Sequence, residues 1–254
     1  MLSEDLQQLL DKQKEKVAEA LTRLSPDQIP QLEQVLVGSD YVVDQLQRHP
    51  DLVDQLEFNL GCYEPGYLTK KIEDQIATVE SEEALSVQLR RIRRREMVRI
   101  IWRDLTRQAD LTETTRVLSE LADATTECAL NWLHRELAKD LGEPTSQDGQ
   151  LQRMVVIGMG KLGAFELNLS SDIDLIFTFP ENGETQGGKR SESNHEFFTR
   201  LGKRLIRVLD APTAEGFVFR VDMRLRPFGS SGPLVARFDA MEQYYQTQGR
   251  EGER

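Results

Sequence analysis

The feature that most constrains this chain is the run from Gly158 to Phe177, Gly-Met-Gly-Lys-Leu-Gly-Ala-Phe-Glu-Leu-Asn-Leu-Ser-Ser-Asp-Ile-Asp-Leu-Ile-Phe. A glycine-rich turn follows an apolar segment at 154–157 and leads into a short helix. Two aspartates one residue apart then stand at the mouth of an apolar strand that begins near Ile173. Residues two apart on a strand point to the same side, so Asp172 and Asp174 share a face. Glycines beside them let backbone N–H groups approach a phosphate. Two carboxylates this close are unfavourable unless positive charge lies between them. A divalent cation with a nucleotide phosphate suits that arrangement, and the pattern implies nucleotidyl transfer.

A second segment supports this reading. In residues 217–226, Phe217, Phe219, Val221, Met223 and Leu225 alternate with Val218, Arg220, Asp222, Arg224 and Arg226. The alternation predicts a strand with one apolar and one ionic face. A lone aspartate among arginines fits a third metal carboxylate beside phosphate-binding cations. The candidate site is therefore Asp172, Asp174 and Asp222, with Arg224 or Arg226 as phosphate clamps. Lys161, inside the glycine run, is assigned to phosphate contact rather than to bare surface. Ser171 is a candidate donor to a phosphate oxygen, and Gly160 belongs to the cradle.

Other readings of the same residues are weaker. Gly158-x-Gly160-x-x-Gly163 after a strand matches the dinucleotide-binding fingerprint. That fold needs a full helix after the third glycine and an acid at the end of the next strand. Here only a short helix fits, and the acids sit at the strand's start. The P-loop pattern fails because no Ser or Thr follows Lys161. The plain structural alternative has Asp172 and Asp174 capping backbone N–H groups in a turn. The third aspartate and the arginines count against it. The loop Phe228–Pro233 reads equally as a tight turn or an anion-binding nest. His49, His134 and His195 show no ligand spacing and read as helix-end or surface histidines.

Charge and composition divide the chain. Residues 1–150 hold 18 Lys and Arg against 29 Asp and Glu, and the remaining residues hold 14 of each. The first part is rich in Leu, Gln, Glu and Arg, which favours helix. The second is richer in glycine, phenylalanine and strand-like segments. The shift falls at the turn-rich stretch 142–149, read as a linker. The expected organisation is a helical region over 1–145 and a catalytic core over 146–254, an α+β fold. Predicted helices run from Ser3 to about Leu24, from Ser25 with Pro26 at its first position, and from Ser39 to His49-Pro50. Two long helices follow at about 81–108 and 112–140, the latter with Val117, Leu118, Leu121, Ala124 and Cys128 on one face.

Eight arginines crowd residues 90–107, five of them at i,i+4 spacing from Arg91 to Arg107. A salt-bridged face packed against the acidic half is preferred over a site for an acidic partner or nucleotide phosphates. The net charge of −11 argues against a nucleic-acid partner. Cys62 and Cys128 form no redox or metal pattern and are expected to be buried thiols of a reducing compartment. No secretory signal or membrane-length apolar run is seen, so a cytoplasmic protein with no membrane partner is expected.

The motifs Gly-Met-Gly-Lys-Leu-Gly, Glu-Leu-Asn, Ser-Ser-Asp-Ile-Asp-Leu-Ile-Phe and Val-Asp-Met-Arg-Leu-Arg-Pro resemble the glutamine synthetase adenylyltransferase/adenylyl-removing enzyme family. So does Arg-Arg-Arg-Glu-Met-Val-Arg-Ile-Ile-Trp-Arg-Asp-Leu at 93–105. The resemblance implies a nucleotidyltransferase core of the DNA polymerase β type, with Asp172, Asp174 and Asp222 as the metal-binding acids for Mg²⁺ or Mn²⁺. It implies glutamine synthetase as protein substrate, PII signalling protein as partner, and nucleotide (ADP or ATP) and inorganic phosphate as small substrates. Pro227-Phe228-Gly229, Ser231–Val235 and Tyr244-Tyr245-x-x-x-Gly249-Arg250 resemble the adenylyl-removing copy, which takes AMP off the synthetase by phosphorolysis. An ATP-using adenylyltransferase, or a module binding nucleotide or PII without turnover, is the alternative. Family members are longer. Gly252 stands where they have Trp, and the core is expected to be truncated on its C-terminal side.

Overall fold

The computed structural model describes residues 3–56 and 61–248. Helices α1 (Glu4–Lys16), α2 (Ala18–Arg23), α3 (Ile29–Gly38), α4 (Asp40–Arg48), α5 (Tyr67–Ile76), α6 (Glu82–Leu105) and α7 (Leu111–Leu141) come first. A 3₁₀ helix (Pro50–Gln55) follows α4. The rest alternates strand and helix: β1 (Gly142–Pro144), β2 (Val155–Met159), α8 (Gly160–Gly163), β3 (Ile173–Phe179), β4 (Thr185–Gly187), α9 (Asn194–Asp210), β5 (Val221–Asp222), β6 (Val235–Arg237) and α10 (Phe238–Thr247). The chain is the expected α+β fold with a mixed sheet.

Helix starts follow capping chemistry. Ser39, Ser81 and Asp110 each accept from a backbone N–H in the first turn of α4, α6 and α7. Ser193 and Glu196 form a reciprocal capping box on α9. Two expected helices differ from the sequence reading. The first breaks at Val17, and the bend keeps Leu10, Val17 and Ala20 on one side, buried in a single cluster. The second begins at Ile29 with Pro30 in its first turn, not at Pro26. Both the N–H and the hydroxyl of Ser25 donate to Gln28 Oε1, so residues 25–28 are a turn.

Strand β3 is the centre of the four-stranded sheet. It pairs antiparallel with β2. Its other edge is parallel to β5 at Ile173 and Asp174, and to β6 from Phe177 to Phe179. The strand expected over 217–226 shrinks to Val221–Asp222. The amides of Val218 and Phe219 both donate to Leu209 O at the end of α9, which takes that stretch out of the sheet. Arg224 N folds back onto Asp222 Oδ1 at 2.8 Å and ends the strand. The stretch 142–149 is not an open linker. Strand β1 pairs with β4, and Gly142, at φ +82°, lies where a Cβ would meet Gln186 O at 2.3 Å.

Two apolar cores organise the chain. The larger takes in α5, parts of α6 and α7, the four-stranded sheet and α9, and it runs across residue 145 without a break. The smaller collects α1–α4 against Val98, Ile101 and Trp102 of α6. Helix α6 therefore buries opposite faces in both, the mark of a helix internal to the structure. Several arginines of α6 are paired within the structure, in line with the expected salt-bridged face, though one carboxylate partner, Glu215, comes from the second half of the chain. Arg94 pairs with Glu215, Arg95 with Glu96 and Arg103 with Glu113. Cys128 is buried but Cys62 is exposed, against expectation. His134 is also buried, at 2.9 Å from Glu143 Oε2 across the end of α7, rather than at a helix end or surface. No helix among the described residues is long and apolar enough to cross a membrane.

Arg90 links α6 to the catalytic half. Its buried guanidinium donates to the carbonyls of Ser86, Val208, Ala211 and Gly216. Replacing it strands several acceptors at once. Arg90→Met is expected to destabilise the chain by about 2–4 kcal/mol, read as a lower urea midpoint. An unchanged midpoint would mean that these carbonyls find other donors.

Candidate active site

The site forms where β2 ends, β3 begins and β5 lies alongside. Register alone brings two acids together, because Asp174 stands opposite Asp222 in the parallel pair. Met159, the last residue of β2, is opposite Asp174 on the other edge. The chain then turns into α8 at Gly160, whose φ is +54°. A Cβ there would lie 2.9 Å from Asp174 Oδ2, so glycine is needed both for the backbone angle and for the carboxylate's room.

The three acids have different surroundings. Asp222 is clamped by Arg224 through Nε and Nη2 to both carboxylate oxygens, and through the backbone amide. That hydrogen bonding holds the Asp222 carboxyl below its ordinary pKa. Asp172 pairs with Arg220 Nε, and Arg220 also donates to Ser170 O. Among the described residues Asp174 has no ion pair. Burial first, then the charges of Asp222 and Asp172, raise its carboxyl above the usual range, opposed by Arg224. The three carboxylates thus share one field, with Asp174 the one left uncompensated.

The remaining expected residues are distributed around this group. Lys161 is exposed on α8, next to Gly160. Ser171 Oγ donates to Asn168 Oδ1 at 2.7 Å. Arg226 is occupied within its own loop, donating to Met223 O at 2.7 Å, with longer contacts to Ser230 O and Gly232 O. The structure therefore brings Asp172, Asp174, Asp222, Gly160 and Arg224 together and leaves Arg226 in the loop that follows. Arg220 was missed as a site residue. Its signal was present, since it occupies the same alternating face as Asp222 and Arg224.

As the side chains stand, no three His, Cys, Asp or Glu among the described residues converge into a metal-holding group. The reason is visible in the ion pairs: Asp172 faces Arg220 and Asp222 faces Arg224. The donor chemistry still suits a hard divalent cation, because the acids offer carboxylate oxygens and Asp174 lacks a cationic partner of its own. Coordination by all three requires Asp172 and Asp222 to exchange arginine for metal.

The like-charge account fixes a sign. Asp222→Asn removes a negative neighbour and frees Arg224, so the Asp174 carboxyl is expected to titrate at lower pH, followed by carboxyl NMR. An unchanged or higher Asp174 pKa would contradict the shared field.

Comparison with known proteins shows the family. The sequence profile described as glutamate-ammonia ligase adenylyltransferase matches residues 29–254. The bifunctional glutamine synthetase adenylyltransferase/adenylyl-removing enzyme of Pseudomonas aeruginosa is 53% identical over 245 residues, covering 93% of this chain and 25% of the relative. The protein of the same name from Nitrosococcus oceani is 55% identical, covering 85% of this chain and 23% of the relative. That from Shewanella loihica is 44% identical, covering 100% of this chain and 27% of the relative. The chain thus spans about a quarter of the length of these relatives. On the motif run, the sheet that carries it and these matches, the chain belongs to the glutamate-ammonia ligase adenylyltransferase family.

Proposed function

We propose that this chain carries the adenylyl-removing activity of its family: AMP is taken from adenylylated glutamine synthetase by inorganic phosphate, giving ADP and unmodified synthetase. The observation that carries the proposal is the side-by-side placement of Asp174 and Asp222 on β3 and β5, with Asp172 adding its charge. Such a group suits reactions at a phosphodiester, where negative charge must be gathered and neutralised. The direction, removal rather than addition, rests on the likeness of Pro227-Phe228-Gly229 and Ser231–Val235 to the adenylyl-removing copy.

In the proposed reaction an oxygen of inorganic phosphate bonds to the adenylyl phosphorus. The bond from that phosphorus to the tyrosine oxygen breaks, and the electron pair leaves on that oxygen, which takes up a proton. Asp172, Asp174 and Asp222 would hold Mg²⁺ or Mn²⁺, which supplies charge stabilisation at the attacking and leaving oxygens when bound. Arg224 is then released from Asp222 and becomes available to a phosphate oxygen. Lys161, exposed beside the Gly160 turn, can reach the nucleotide phosphates from the opposite side. Ser171 can exchange its bond to Asn168 for one to a phosphate oxygen. The family setting brings glutamine synthetase as substrate, PII protein as regulator and the cytoplasm as location.

The test is product analysis with adenylylated glutamine synthetase and Mg²⁺, given inorganic phosphate in one reaction and pyrophosphate in another. Phosphate-dependent ADP is expected. ATP formed from pyrophosphate, with no ADP from phosphate, would assign the opposite direction. Asp172→Asn and Asp174→Asn are each expected to lower the ADP rate by about 10³-fold with the fold retained by circular dichroism. Full rate in either variant would remove that acid from the site.

A further inference from the structure

A cavity of about 340 Å³ adjoins the active site on the side of the Ser170–Ser171 turn. It lies between the N-terminal helices and the catalytic sheet. Its lining carries Arg90, Arg93, Arg94 and Arg220 but a single acid, Glu215. Most of this positive charge is already engaged. Arg90 is held by carbonyls, Arg94 by Glu215, and Arg220 by Asp172.

Arg93 differs. Among the described residues its one hydrogen bond is to the Tyr41 hydroxyl, at 3.3 Å. Its Nε is buried with no partner. The guanidinium carbon lies 5.0 Å from the Phe217 ring centre and 5.8 Å from those of Phe219 and Tyr41. Burial lowers its pKa, opposed by Tyr41 and aided to a lesser degree by the charge of Arg220, and among the described residues no carboxylate pairs with it. Three rings orient the guanidinium but do not neutralise it. A half-buried guanidinium whose Nε is buried without a partner, with no carboxylate paired to it among the described residues, favours an anion in the space beside it.

We propose that this cavity is an oxyanion site that holds inorganic phosphate, the attacking group, with Arg93 as its principal charge. The inference rests on the phosphorolysis reading for that role. Two observations favour phosphate over a carboxylate. Several guanidinium groups and two serines line one cavity, and the serine hydroxyls can exchange their bonds to Asn168 Oδ1 for an anion, which suits a tetrahedral oxyanion with several acceptor oxygens. Arg220 also lines the cavity and pairs with Asp172, so an anion held there would share an arginine with the acid group. Phosphate at this position would compete with Asp172 for Arg220 and help free that carboxylate.

The test is a titration of the chain with inorganic phosphate, without metal or nucleotide, followed by calorimetry and ³¹P NMR line width. Saturable binding that sulfate displaces and glutamate does not is expected. Arg93→Gln is expected to weaken it by at least about tenfold. Leu169 is half-exposed on the cavity wall, so its substitution spares the fold. Leu169→Glu, which places a carboxylate in the cavity, is expected to abolish phosphate binding, while Leu169→Gln retains it. Equal phosphate affinity in wild type, Arg93→Gln and Leu169→Glu, or no saturable binding by folded wild type, would overturn the proposal. So would preferential binding of glutamate or an acidic peptide. In turnover, Arg93→Gln is expected to raise KM for phosphate more than it lowers kcat. ADP formation with an unchanged phosphate KM would remove the site and leave the function standing. Arg93-dependent phosphate binding without ADP would keep the site and remove phosphorolysis.

Discussion

Asp174 and Asp222 face each other across the parallel pairing of β3 with β5, and Asp172 is near enough to add its charge. Like charges so close raise the folded state's free energy unless cations offset them. Arg220 and Arg224 do so for two of the acids. Asp174 is left as the acid with the raised pKa, under the Gly160 turn. These are exposed or half-exposed pairs, so they hold the acids in place more than they stabilise the fold. Under the proposed function, the arginines that now neutralise two of the acids would become available to phosphate oxygens if the carboxylates held a divalent cation.

The helical half is joined to this site by packing. Helix α6 is buried on both sides, in the core of α1–α4 and in the core shared with the sheet. Arg90 ties it to the end of α9, Glu82 receives Arg204 and Arg207 of α9, and Arg94 holds Glu215. The segment these contacts fix, from Ala211 to Phe219, leads directly into β5 and Asp222. The arginine-rich stretch of α6 thus sets the position of the third acid, and one of its members, Arg93, reaches the cavity beside the first.

Much of the site was legible in the sequence because strand geometry is local. Two aspartates one residue apart at the start of an apolar run must share a face, and β3 follows. The cap residues Ser3 and Ser39 marked helix starts for the same reason. The failures come from contacts distant in sequence. The alternation over 217–226 looked like a long strand, but the end of α9 claims the amides of Val218 and Phe219. The break at Val17 carries no glycine or proline, and it arises because α1 and α2 must both reach one core. Arg93 was indistinguishable from its neighbours, since Tyr41, Phe217 and Phe219 meet it only in the folded chain.

The central claim is that the three acids constitute one cation-binding group. Mn²⁺ binding, followed by the loss of the free-ion electron paramagnetic resonance signal, tests it without reliance on turnover. The account predicts saturable Mn²⁺ binding by the wild-type chain that Mg²⁺ displaces, and its loss in Asp174→Asn with the fold intact. Equal Mn²⁺ binding by wild type and Asp174→Asn would contradict it, and would place the cation away from β3.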